Sequence, residues 1–327
     1  MPHQSAANPA ARFVNPRQPL AVAAIIMRNQ PQRKMIAASA LVIMGVDAVF
    51  RRLPAAMMRA ILVVMLVVMP SALLIGSGND ATQVVVLVAI FAALFTLVEY
   101  SAASPSLVEF RDAPPFNRTR FSALFATVLC LSMIFRGYDN PSPLTAMFET
   151  TGAAIGQAID FPYSPVRLMV LMMPADSDPA LLDRLRDAAG LSYLIGLFSI
   201  VWFIVLLRLQ RWPRRGGAFN VWVNLPTFDP TAGGDVVLRL QRDGRINIIL
   251  GFLLPFLAPV VVKLAALFAA PINLDNPHSL IWTVAAWAFL PASIVMRGVA
   301  LTRVADMIQM QRDKVRHRAA VSALSGY

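Results

Sequence analysis

Six apolar runs punctuate the chain, at about 58–76, 82–102, 120–136, 190–209, 246–270 and 279–299. A helix rises about 1.5 Å per residue, so roughly 20 apolar residues cross a hydrocarbon core of about 30 Å. Five runs meet that length. The third spans only if its helix begins in the loop before it. Gly76-Ser-Gly-Asn-Asp80 is a short polar turn, which predicts that the first two spans form an antiparallel hairpin. The expected fold class is all-α, a polytopic integral membrane protein of about six transmembrane helices with an N-terminal interfacial helix.

The interfacial helix is read from residues 35–50, a 16-residue apolar run containing Asp47 and flanked by Arg33, Lys34, Arg51 and Arg52. It is too short to cross comfortably, and crossing would strand one basic cluster on the far side. Some 34 residues precede it, too many for the basic leader of a signal peptide. Residues 1–19 are rich in Pro, Asn and Gln and read as a flexible tail. The chain thus divides into 1–57 (tail and interfacial helix), 58–136 (three spans), 137–189 (outer connector), 190–300 (three spans with a basic loop at 210–245) and 301–327 (C-terminal tail).

Composition agrees. The 327 residues are 57% hydrophobic and only 14% charged, with mean hydropathy +0.61. Soluble domains carry about 25% charged residues. The net charge of +11 is mostly arginine, and its placement is lopsided. Residues 1–59, 103–120, 208–245 and 297–318 hold 24 of the 29 Lys and Arg. The opposite side holds four, Arg136, Arg167, Arg184 and Arg186, with Lys263 inside a span. Cytoplasmic loops of membrane proteins collect positive charge, so both termini are expected in the cytoplasm of a bacterial inner membrane. The same bias explains the high net charge without a nucleic-acid partner.

Few catalytic chemistries survive. One cysteine, Cys130, excludes an internal disulfide and a Cys-based metal site. His3, His278 and His317 lie far apart, and none is mid-span. There is no Walker A, Gly-x-Ser-x-Gly, His-Glu-x-x-His or Gly-x-Gly-x-x-Gly pattern. No cofactor and no metal is expected.

The connector at 137–189 contains Gly152-Ala-Ala-Ile-Gly156, a small-xxx-small face. It is expected to pack on the bundle rather than to dimerise. Asp178-Pro179 carries the signature of a helix start. Asp235 is expected to cap a short amphipathic helix bearing Arg239, Arg242 and Arg245, with a hairpin at Asp243-Gly244 as the alternative. Arg211, Arg214 and Arg215 beside Trp212-Pro213 read as an anchor for anionic headgroups.

The candidate binding positions fall into two groups. On the inner side, Glu99, Glu109, Arg111 and Asp112 cluster around a stiff Pro114-Pro115 pair, and they read mainly as a local ion-pair network. Arg297 ends the sixth span near Glu99, so a Glu99–Arg297 pair is allowed. Toward the outer side, Lys263 lies in the fifth span beyond Pro255 and Pro259, where an ionisable group is costly. Each proline frees a carbonyl one turn back, which points to a bent or broken helix near a wet crevice. Lys263, His278 and Asp275 form a hypothetical outer polar site.

Three functions compete: a non-enzymatic accessory or assembly protein with a membrane-protein partner; a small permease or channel using the fifth helix and Lys263; and an interfacial enzyme acting on a lipid-linked substrate through Glu99, Glu109 and Asp112. The first is favoured, because no Asp or Glu sits mid-span to couple protons and no tight polar cluster is evident.

Overall fold

The computed structural model describes residues 31–74, 79–102, 105–111, 113–174, 177–213, 221–229, 233–266, 268 and 276–325, without the side chains of 31–50, 79–81, 114, 221, 222 and 325. The chain divides into two units, 1–54 and 55–327. The described residues are all helix and connector, with no strand. The helices are α1 (Pro31–Leu73), α2 (Asn79–Ser101), α3 (Pro114–Asp139), α4 (Pro143–Ile159), α5 (Pro165–Leu171), α6 (Pro179–Leu209), α7 (Val221–Asn224), α8 (Val236–Ala265) and α9 (Pro277–Ser325). Six of them, α1, α2, α3, α6, α8 and α9, are long and apolar enough to cross a membrane. The protein is a multi-pass, all-helical membrane protein.

Helix starts follow local chemistry. Proline at the first turn opens α3, α4, α5 and α6, where the missing N–H costs nothing. Side chains of Ser142, Ser164, Asp178 and Asp235 accept the exposed N–H groups of α4, α5, α6 and α8. The third span resolves as foreseen: α3 starts at Pro114 and runs 26 residues, about 39 Å.

Three elements differ from expectation. Residues 179–189 and the apolar run after them are one 31-residue helix, because nothing between Asp187 and Leu191 breaks it. Asp235 caps a helix that continues without a hairpin into the fifth span, so the basic stretch is that span's own first turns. Val237 and Leu240 there are buried in the core, while Leu238 faces out. The stretch read as a C-terminal tail is instead a helical continuation of α9. The 35–50 run is helical in backbone, and its side chains lie outside the described residues. So does the turn at 75–78.

Within 55–325, α9 forms the centre, with α8, α6 and α3 packed on it and α3 also packed on α6. The bundle has a basic end, carrying the 105–113 loop and α7, and an acidic end, carrying α4 and α5. One core cluster at the acidic end joins Leu131, Phe135, Val166, Leu185 and Ile281. A second at the basic end joins Phe110, Phe116, Phe203, Leu240 and Met296.

Glycine sets the closest approaches. A Cβ on Gly244 of α8 would lie 3.0 Å from the Gly298 carbonyl oxygen of α9, and one on Gly298 would lie 2.6 Å from the Gly244 carbonyl. Gly156 and Gly190 do the same for α4 and α6, where a Cβ on Gly190 would meet Gly156 Cα at 2.5 Å. The small-xxx-small face at 152–156 is therefore used inside the chain, with Gly152 and Gly156 both buried. Small residues let helix backbones touch where lipid offers no hydrophobic drive.

The prolines of α8 do not break it. Pro255 and Pro259 both sit inside one continuous helix. Pro259 cannot donate to the Pro255 carbonyl, and Trp287 of α9 does so instead, its Nε1 donating at 3.1 Å. An aromatic N–H from the neighbouring helix takes the role that water in a crevice was expected to play.

Candidate functional site

The polar residues of the basic end converge on the loop between α2 and α3. Glu99, in the last turn of α2, is 4% exposed. Its carboxylate accepts the backbone N–H groups of Ser106, Leu107 and Val108, each at 3.0 Å, and the Ser106 hydroxyl. Consecutive backbone N–H groups aimed at one anion form a nest. The loop thus folds back to supply the carboxylate at the end of α2 with the donors that water would otherwise provide. Arg111 completes the turn: its Nη1 donates to the Ala102 carbonyl at 2.6 Å and to that of Glu99 at 3.3 Å. Those carbonyls lie at the end of α2, where no helical N–H reaches them.

Glu109 points the other way. Arg297 of α9 grips it with two hydrogen bonds, Nε to Oε2 at 2.5 Å and Nη2 to Oε1 at 2.8 Å. The Thr227 hydroxyl donates to Oε1 at 2.8 Å. Arg297 also donates through Nη1 to Asn247 Oδ1 at 3.1 Å. Bidentate guanidinium–carboxylate geometry is the strongest form of such a pair. A Glu99–Arg297 pair, allowed by the sequence, is not the one formed. Both acids lie near the Arg297 end of the span, but Glu99 is filled by backbone donors and Glu109 is the one presented to α9.

Aromatic packing locks the same loop. Phe110 is fully buried in left-handed backbone (φ 51°), its ring 4.6 Å from that of Phe116. Its N–H donates to the Asn224 carbonyl of α7 at 2.7 Å, and Asn117 Nδ2 donates to the Glu109 and Phe110 carbonyls at 3.0 Å. Arg120 lies over the Phe116 ring at 5.0 Å, and Arg59 of α1 over the Tyr100 ring of α2 at 4.6 Å. The loop is thereby tied to α2, α3, α7 and α9 at once.

The outer candidates are arranged differently. Lys263 is exposed at the end of α8, and its Nζ donates to the Met173 carbonyl, beyond α5, at 2.9 Å. It snorkels to a carbonyl of the connector. His278 sits in the first turn of α9, its N–H donating to Asn276 Oδ1 at 2.9 Å. Asp112 and Asp275 lie outside the described residues.

Arg120, Thr227 and Asn247 escaped the sequence reading. Asn247 carried a signal, as a polar residue opening an otherwise apolar run. Arg120 was counted as a loop charge, although α3 already begins at Pro114. Thr227 had no signal.

Chemically, the carboxylates of Glu99 and Glu109 are saturated, whereas the buried Nε of Arg120 has no hydrogen-bond partner among the described residues. Each carboxylate has its oxygens occupied by donors fixed in the fold. Among the described residues, no three His, Cys, Asp or Glu side chains come together to hold a metal ion. No protein-family model matches the chain, and neither does any curated protein or solved structure.

Proposed function

We propose that the chain is a non-enzymatic accessory or assembly protein of a bacterial inner membrane, with both termini in the cytoplasm. The observation that carries this reading is the occupancy of Glu99 and Glu109. A general base or metal ligand needs a free lone pair facing a cavity. These two face backbone amides and a bidentate arginine. The orientation rests on the Lys and Arg asymmetry, which puts the basic end in the cytoplasm.

A membrane-protein partner is supported by α2. It is apolar all round, and only 17% of its spanning window is buried. Phe91 and Val98 are 64% and 62% exposed. Lys263, the residue a permease would use, is exposed, and its ammonium is taken up by the Met173 carbonyl.

A photo-crosslinking residue at Phe91, introduced in native membranes, tests the reading. A discrete protein adduct is expected, absent when the same residue replaces buried Val128. Enzymatic function would be shown instead by Glu109→Gln abolishing an activity of the purified protein at unchanged abundance. Uptake into liposomes that collapses with Lys263→Met would show a permease.

A further inference from the structure

Between α6, α8 and α9 lie two cavities that have no part in the loop cluster. The first, about 240 Å³, is an apolar slot with Gly196 and Ile200 of α6, Gly251 and Pro255 of α8, and Ala288 and Pro291 of α9 among its walls. The second, about 530 Å³, sits at the basic end and is lined by Arg208, Arg211 and Arg303 with Trp212, Gln241 and Asp306. Both occupy the same helix faces. On α9 the lining runs Ala288, Ala292, Val295, then Arg303, Asp306 and Met310. Steps of three and four, or their sums, keep a line along one side of a helix. On α6 the series runs Tyr193, Leu197, Ile200, then Leu207 and Arg208, and on α8 it runs Gln241, Ile248, Phe252, Pro255. The two cavities are therefore stations along one cleft, with α9 as its floor. Its apolar part begins about 12 Å from Arg208 along α6 and reaches about 22 Å at Tyr193.

Charge and polarity divide this cleft as an amphiphile does. Three arginines against one aspartate line the basic station. None of the three guanidinium groups forms an ion pair among the described residues. An unpaired guanidinium presents donors matched to phosphate oxygens. The slot above it offers only aliphatic and aromatic walls and opens beside Leu197 and Phe252, both exposed. One leaflet of hydrocarbon is about 15 Å deep, so a chain whose headgroup rests at Arg208 extends into the slot.

We propose that this cleft is a binding site for one anionic phospholipid, its phosphate held by Arg208, Arg211 and Arg303 and one acyl chain lying in the slot between α6 and α8. The assignment is independent of the accessory function, since it uses none of the residues around Glu99 and Glu109.

The test uses the full-length protein, delipidated in detergent and titrated with phosphatidylglycerol, phosphatidylcholine or inorganic phosphate, with bound lipid counted by native mass spectrometry. Wild type should hold one phosphatidylglycerol more tightly than phosphatidylcholine. A basic residue at an anionic surface contributes roughly fivefold, so Arg208→Gln with Arg303→Gln should weaken phosphatidylglycerol roughly 25-fold and phosphatidylcholine, whose phosphate charge is offset by its choline, by much less. The paired Lys variants should retain the preference, which guards against a folding artefact. Leu197→Trp fills the slot and should weaken phosphatidylglycerol without touching phosphate. Equal binding of the two lipids, or unchanged phosphatidylglycerol binding in the double Gln variant, overturns the site. Inorganic phosphate binding as tightly as phosphatidylglycerol, with Leu197→Trp silent, would make it a free-anion site and overturn the lipid assignment.

Discussion

Glu109 and Arg297, 188 residues apart, meet through two hydrogen bonds of 2.5 and 2.8 Å. Glu109 belongs to the loop after α2, and Arg297 lies in α9. The pair joins the two halves of the polypeptide at the basic end. Removing one partner of a buried pair costs about 3–5 kcal/mol. Arg297 retains 33% side-chain exposure, and solvent screening lowers the expected cost of Arg297→Met to about 2–3 kcal/mol. Adding Glu109→Gln should recover most of it, because the uncompensated charge is gone. Detergent melting of the single and double variants measures the coupling. Additive losses would show that the pair is incidental.

The α8–α9 contact at Gly244 and Gly298 should tolerate no side chain. Gly298→Leu drives carbons into the α8 backbone, and overpacking of this kind costs about 1–3 kcal/mol or more. The expected result is a sharp loss of folded protein in membranes. Leu238→Ala, at an exposed position of α8, should leave abundance unchanged.

Trp287 and Pro259 form a compensating set. Trp287→Phe removes the donor to the Pro255 carbonyl and should cost about 0.6 kcal/mol, the mean for hydrogen bonds within membranes, and no more than about 1.7 kcal/mol, their maximum. Pro259→Ala restores a backbone N–H one turn along, so the double variant should be more stable than Trp287→Phe alone. Melting temperatures of the three variants decide it. A double variant no better than the single would show that the carbonyl had another donor.

Sequence and structure agree where the signal is periodic or local. The spans declared themselves because a bilayer demands about 20 apolar residues, and caps at Asp178 and Asp235 are read from adjacent residues. The extension of α9 past residue 300 was lost because its charged residues are as compatible with a tail as with an exposed helix. Glu109–Arg297 could not be chosen over Glu99–Arg297, since sequence carries no distance between a loop and a helix 188 residues apart. The nest at 106–108 is made of backbone, which no residue type announces.

Asp235 gives the pH dependence. The Arg312 guanidinium donates to its carboxylate at 2.8 Å and the Val237 N–H at 2.9 Å, and both hold its pKa below the usual Asp range. A depressed folded-state pKa means the unfolded chain takes up the proton first. The stabilisation is therefore complete above the ordinary value of about 3.9 and is lost as pH falls through the lower folded value. Asp235→Asn keeps a capping side chain but loses the charge. Its melting temperature should fall less steeply than wild type between about pH 5 and about pH 3. Parallel curves would remove Asp235 from the acid response.

The account depends most on which way the bundle threads the membrane. Paired reporter fusions test this directly: alkaline phosphatase, active only outside the cytoplasm, and green fluorescent protein, fluorescent only inside it. Each is placed after Gly78, between α1 and α2, and after Tyr327. The account predicts phosphatase activity at Gly78 and fluorescence at Tyr327. Fluorescence at Gly78 with phosphatase activity at Tyr327, or the same reporter active at both positions, would contradict the threading and with it the cytoplasmic placement of the basic end.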